Sequence, residues 1–152
     1  DYTVQPQFDF IGRKQSVFGL SDGGAHVGVL CDASVPTYML AYGTRDRSKG
    51  PQLPLEFVVH KMTQDTAQVY GFVDRGVIAT GYKADINIID YENVRLHDPE
   101  MVYDLPSGGK RLVQKADGYT ATICDGVVTY ENGVHTGQMP GRLVRGGQIE
   151  KV

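Results

Sequence analysis

The order of apolar and polar positions divides the chain into an early part with helical spacing and a later part that alternates. Residues 1–16 are mixed and predict no clear element. Val17-Phe18-Gly19-Leu20 is a short apolar run, followed by Ser21-Asp22-Gly23-Gly24-Ala25-His26. That is the pattern of a buried strand ending in a glycine-rich loop. Ser34 as a cap and Pro36 in the first turn then predict a helix through the apolar stretch Tyr38 to Tyr42. Arg45 to Gln52 reads as a polar loop with Gly50-Pro51 as a turn. Pro54 opens a second helix, with Leu55, Val58, Val59, Met62, Thr66, Val69 and Tyr70 at helical spacing. Glu56 lies in its first turn, where the helix dipole favours an anion, and Gly71 is its stop. A break near Thr63 to Thr66 would divide it in two.

Beyond Gly71 the period changes. Ala84, Ile86 and Ile88 fall on one face of a strand, with Asp85 and Asn87 on the other. Tyr119 to Cys124 and Val127 to Glu131 flank Asp125-Gly126, a favoured two-residue hairpin turn. A regular register pairs Ile123 with Val128 and Ala121 with Tyr130 on an apolar face. Thr122 with Thr129 and Thr120 with Glu131 then fall on a polar one. The hairpin is therefore expected to cover a core from outside. The order of elements predicts the end of an alternating β/α layer, residues 1–74, followed by a small all-β unit, residues 75–152.

Composition narrows the function. The chain has 152 residues, 41% of them hydrophobic and 22% charged, enough for one packed domain. A net charge of −3 argues against a nucleic-acid partner, which needs a basic face. No apolar run approaches the roughly 20 residues of a membrane span. Two cysteines, Cys31 and Cys124, are too few for a disulfide scaffold. The first residue is Asp1 and no signal peptide is visible, which says little about location; a cytoplasmic one is the expectation.

Asp22 is the leading chemical candidate. Active sites of α/β sheets and barrels gather at the carboxyl ends of strands, and a carboxylate there can bind a metal or move a proton. Gly23 and Gly24 would allow close approach of backbone or substrate, and His26 could contact substrate or orient Asp22. On pattern alone, a turn-closing carboxylate and a surface or packing histidine explain these residues better. His60, His97 and His135 form no His-x-His or His-Glu-x-x-His, and no Cys-x-x-Cys occurs. Gly108-Gly109-Lys110 lacks the phosphate-loop spacing, and Cys31 reads as a buried small hydrophobe.

Several pieces together resemble one family. Ser21-Asp22-Gly23-Gly24-Ala25-His26 resembles the loop after the last barrel strand in amidohydrolases of the D-aminoacylase (N-acyl-D-amino-acid deacylase) type. Lys61-Met62-Thr63 through Ala67 and Gly71 resembles the helix that follows. Asp74-Arg75-Gly76-Val77-Ile78 and Gly81-Tyr82-Lys83-Ala84-Asp85-Ile86 resemble the exit from the barrel into a β-sandwich. Thr136-Gly137 with Pro140-Gly141-Arg142 resembles that branch's ending. Thr66 departs from the family, where many members have proline.

The resemblance implies the C-terminal end of a (β/α)8 TIM-type metal-dependent hydrolase barrel, followed by part of a small β-sandwich, the composite domain. It implies a linear amide substrate such as an N-acyl-D-amino acid and a zinc-activated water. Asp22 matches the family's proton shuttle and is a possible metal ligand, with Gly23, Gly24 and His26 at the substrate. The other ligands are absent from this chain, and a complete barrel takes about 250 residues. The expectation is therefore the C-terminal part of a larger enzyme, itself inactive and not retaining zinc. Its partners would be the missing N-terminal barrel and sandwich strands, or a second copy in a homo-oligomer. A cyclic-amide hydrolase of the dihydroorotase kind and a non-catalytic β-rich module are the alternatives.

Overall fold

The computed structural model describes residues 4–19, 28 and 31–145. Helices occupy the first half of the described chain and strands the second. The first element is one the apolar pattern did not mark: helix α1, Gln5–Ile11. It is too short for a period to show, yet it buries Phe8 against Met39, Leu40 and Val58, the centre of the helical core. Arg47 is buried as well, with its guanidinium 3.8 Å from the centre of the Phe8 ring. Its Nε donates to Lys49 O at 2.9 Å, Nη1 to Pro51 O at 2.8 Å and Nη2 to Gln5 Oε1 at 2.7 Å.

The strand expected at Val17 to Leu20 is not formed over its described residues, Val17–Gly19, which carry no ladder partner. A strand needs a neighbour to satisfy its backbone, and none of the described strands lies beside this one. The next helical stretch starts with a 3₁₀ turn, Asp32–Ser34, continues as α2, Val35–Tyr38, and widens into a π-helix, Met39–Asp46. Ser34 does not cap it. Its hydroxyl donates back to Cys31 O at 3.2 Å, from inside the first turn. The polar stretch from Arg45 is also helical through Asp46, because Arg45 finds partners far along the chain. Its Nη1 donates to Tyr91 O and its Nη2 to Val94 O at 2.8 Å, while Thr44 and Tyr91 share a hydroxyl hydrogen bond of 2.7 Å.

The predicted second helix is present and unbroken: α3, Leu55–His60, a π-helical segment, Lys61–Asp65, and α4, Thr66–Val69. The wide turn stands where a break was expected. It also shifts the phase of the buried stripe, so Lys61 and Ala67 turn inward while Val69 and Tyr70, both 64% exposed, turn out. Gly71 ends the helix as predicted. It takes φ +71°, its N–H bonds Gln68 O, and Phe72 N–H bonds Ala67 O, the two hydrogen bonds of a Schellman stop.

The strands are β1, Ile86–Ile89; β2, Arg95–Leu96; β3, Glu100–Leu105; β4, Gly109–Val113; β5, Ala116–Asp117; β6, Tyr119–Cys124; β7, Val127–Glu131; and β8, Val134–His135. They form an antiparallel sheet ordered β1-β6-β7-β8 and two antiparallel pairs, β2-β5 and β3-β4. The Asp125-Gly126 hairpin forms with both turn residues at positive φ, +49° and +81°. Cys124 faces Val127 and Ile123 faces Val128 as expected, but a bulge then shifts the ladder. Thr122 pairs with Tyr130 and Ala121 with Glu131, so the Ala121–Tyr130, Thr122–Thr129 and Thr120–Glu131 pairings are not made. The extra residue is Thr129, whose hydroxyl bonds Thr122 O at 3.1 Å and whose carbonyl takes Thr136 N–H. Nor does the apolar face lie on a core among the described residues: Ile88 is 49% exposed and Val128 40%.

The two halves meet where Ile89 joins the helical core and Tyr119 reaches Thr37, hydroxyl to hydroxyl at 2.7 Å. Val94 is fully buried at this junction, and Gly118, at φ +93°, passes so close that a Cβ would stand 2.6 Å from Val94 Cα.

Candidate functional site

Asp22, Gly23, Gly24 and His26 lie outside the described residues, so their placement carries no geometry here. The structure does bring together the two later sequence motifs. Asp74-Arg75-Gly76 follows the Schellman stop, and Gly81 to Asp85 leads into β1. Lys83 N–H donates to Asp74 O at 2.7 Å, closing the loop between them. Arg75 then bridges two carboxylates, with Nε to Asp74 Oδ1 at 3.0 Å and Nη1 to Asp85 Oδ2 at 3.3 Å. The other oxygen of Asp85 accepts the Asp125 N–H at 2.8 Å, and Lys83 Nζ reaches Asp125 Oδ1 at 2.7 Å. The motif pair is thus clamped onto the hairpin turn.

Gly76 sets the other side of the clamp. It lies at φ +86°, and a Cβ there would stand 2.9 Å from both Ala67 Cβ and Thr63 O. Only glycine allows the chain to pass this close to the helix in that conformation. Beside the clamp is an open cleft of about 350 Å³, lined by Arg75, Asp85, Cys124, Asp125, Pro140 and Arg142 among others.

The paired charges of the clamp are mutually satisfied. The hydrogen bond from Arg75 holds the Asp74 carboxyl below its ordinary range and raises the guanidinium's own value. The hydrogen bond from Lys83 likewise holds the Asp125 carboxyl below its ordinary range. Carboxylates kept ionised by neighbouring cations make a poor source of protons and a good mechanical fastening. The arrangement can hold the Asp74–Gly76 segment, the helix and the hairpin in register. It does not by itself activate a water.

The described histidines are dispersed. His60 Nδ1 lies 3.0 Å from Asp65, and His97 Nε2 lies 2.9 Å from Asp117. His135 Nδ1 accepts the Gly137 N–H. His97, ahead of Arg95, draws the Asp117 carboxyl below its ordinary range. Of Gly108-Gly109-Lys110, Gly108 ends the turn between β3 and β4, and Gly109 and Lys110 begin β4. Among the described residues no three histidine, cysteine, aspartate or glutamate side chains gather as a metal would require. These residues do not fit a zinc ion, and no catalytic step is assigned to one.

Pattern reading passed over Lys61 as a site residue, naming it only within the helix that resembles the family's. It is 2% exposed, and its ammonium donates to Arg13 O at 2.7 Å and Ser16 O at 2.5 Å. The available signal was a lysine placed between the stripe residues Val58 and Met62.

The model of the amidohydrolase family matches residues 5–130, most of the chain and both halves of the clamp. The chain belongs to the amidohydrolase family. No curated protein and no solved structure is significantly similar to it. Membership makes this a domain of a metal-dependent hydrolase in the general sense. For an amidohydrolase chain, the Asp74-Arg75-Gly76 and Gly81 to Asp85 pair is a structural junction whose contacts are now explicit. No helix among the described residues is long and apolar enough to cross a membrane.

Proposed function

We propose that this chain is the C-terminal part of an amidohydrolase that cleaves linear amides, with N-acyl-D-amino acids as the substrate class. The observation that carries the reading is the family match from residue 5 to 130, which encloses the Ser21-Asp22-Gly23-Gly24-Ala25-His26 loop. In this reading Asp22 is the proton shuttle. Its carboxylate takes a proton from the attacking water and returns it to the leaving nitrogen as the C–N bond breaks. Gly23 and Gly24 leave room for the substrate, and His26 contacts it. Zinc, in this proposal, is held by ligands supplied from outside the described residues. The exposed Ile88 and Val128 support a covering partner, either upstream strands of the same protein or a second subunit.

The test is kcat/KM of the full-length protein on N-acyl-D-amino acids, their L-enantiomers and a cyclic amide. Asp22→Asn should keep the fold and lose at least ~10²-fold in turnover. Near-wild-type turnover by Asp22→Asn would return Asp22 to the role of a turn-closing carboxylate. Preference for the cyclic amide would move the substrate class.

A further inference from the structure

Lysine is rarely buried without partners, and a helix position facing a core is ordinarily filled by leucine or methionine. Lys61 occupies such a position at 2% exposure. What its ammonium adds is three contacts that a thioether cannot make. It donates to Arg13 O at 2.7 Å and to Ser16 O at 2.5 Å, and it lies 3.9 Å from Asp65 Oδ2. Asp65 is in turn held by His60 at 3.0 Å. The Phe57 ring closes the remaining side, 5.5 Å from the nitrogen.

The carbonyls it grips belong to one turn. Ser16 Oγ bonds Phe10 O at 2.6 Å and Arg13 O at 2.8 Å, so residues 10–16 are already stitched together locally. Lys61 ties that stitched unit to the helix that carries Lys61 in its π-helical turn. The next residues, Val17–Gly19, have no ladder to fix them, and Phe18 is held by its side chain, which packs against the helical core. Ser16 O is therefore the last described backbone atom held from across the fold before the chain runs on to Asp22. A π-turn is an uncommon geometry that recurs at functional positions, and here it delivers the lysine to the core.

We infer that Lys61 is a positioning residue for hydrolysis: by pinning Arg13 O and Ser16 O it sets where the chain starts toward Asp22. The role rests on the proposed amide hydrolysis by Asp22, six residues beyond Ser16. Lys61 touches neither substrate nor reacting atoms, and small errors of placement cost rate steeply.

The experiment uses the full-length enzyme with Lys61→Met, Lys61→Arg, Asp22→Asn and Thr66→Val. Thr66 Oγ1 bonds Lys61 O at 2.8 Å, so Thr66→Val loosens the same helix and leaves the ammonium contacts in place. Lys61→Met should lower kcat at least ~10-fold with KM within about 3-fold. Hydrogen exchange in peptides covering residues 13–19 should quicken at least ~10-fold, while the β6–β7 hairpin is unchanged. Lys61→Arg, which keeps charged donors, should recover part of both, and it carries the test if Lys61→Met does not fold. Thr66→Val should lower Tm without lowering kcat. Unchanged exchange at residues 13–19 in Lys61→Met would overturn the pin. Faster exchange with unchanged kcat would overturn its role in the reaction. Wild-type activity in Asp22→Asn would overturn the amide-hydrolysis reading instead, and that outcome is separate because exchange in Lys61→Met does not depend on it.

Discussion

Gly76→Ala tests the clamp at its tightest point, and its cost divides into two parts. The first is conformational: alanine at φ +86° enters the left-handed region, for roughly 1–2 kcal/mol. The second is steric. The new Cβ would meet Ala67 Cβ and Thr63 O at 2.9 Å and Gln64 Cα at 3.1 Å. Two of these three are backbone atoms and cannot swing away, so about 1–3 kcal/mol of overpacking follows. The reduced freedom of the unfolded chain returns about 0.4–1 kcal/mol. Gly81→Ala supplies the comparison, since Gly81 has φ +89° and nothing within 4 Å of the added carbon. It should show the conformational part alone. Urea unfolding of the two variants, followed by the fluorescence of the nine tyrosines in a chain without tryptophan, gives the difference directly. Gly76→Ala should be less stable than Gly81→Ala by about 1–3 kcal/mol. Equal losses would show that the Asp74–Gly76 segment does not press on the helix, and that Gly76 serves its turn only.

Other consequences can be measured on the same chain. Arg47→Lys should cost about 2–4 kcal/mol in urea unfolding, because one ammonium cannot reach Lys49 O, Pro51 O and Gln5 Oε1 together. Asp74→Asn should lose up to ~1 kcal/mol at pH 7. Because Arg75 depresses the folded-state value, the contribution of Asp74 is complete above the unfolded-state value of about 3.9 and fades as pH falls through the lower folded one. The gap between wild type and Asp74→Asn should therefore close in acid, and a gap constant with pH would refute the ion pair.

The parts legible in the sequence were those set by neighbours a few residues apart. The Asp125-Gly126 turn, the Gly71 stop and the existence of the helix from Leu55 all follow from local backbone preferences. Helix α1 was not legible, since seven residues give no period and its one buried side chain, Phe8, is recognised only by the core it meets. Arg45 and Arg47 read as loop charges because their acceptors are distant backbone carbonyls, which leave no trace in composition. The bulge at Thr129 escaped for a related reason: its carbonyl is claimed by Thr136, beyond the hairpin that set the expected register. At the site, the resemblance picked out the motif pair, but the contact of Asp85 with the hairpin turn is tertiary and invisible to spacing. Lys61 was not legible as a core residue, because its two carbonyl partners precede it by 45 residues or more.

The π-helical turn at Lys61–Asp65 also makes chain length part of the fold's specification. Each hydrogen-bonded ring there encloses one residue more than an α-turn does. Losing a single residue from this stretch would let the helix close as an ordinary α-helix with its backbone bonds intact, so helicity alone offers no resistance to a deletion. The resistance comes from Gly76, which needs Ala67, Thr63 and Gln64 in their present places around the axis. A shortened helix would present other residues to the Asp74–Gly76 segment and turn Lys61 relative to the carbonyls it holds. The surplus residue is thus a spacer that keeps two contacts on different sides of one helix in phase, and, Lys61 apart, side-chain substitutions should be tolerated there far more readily than any change in length.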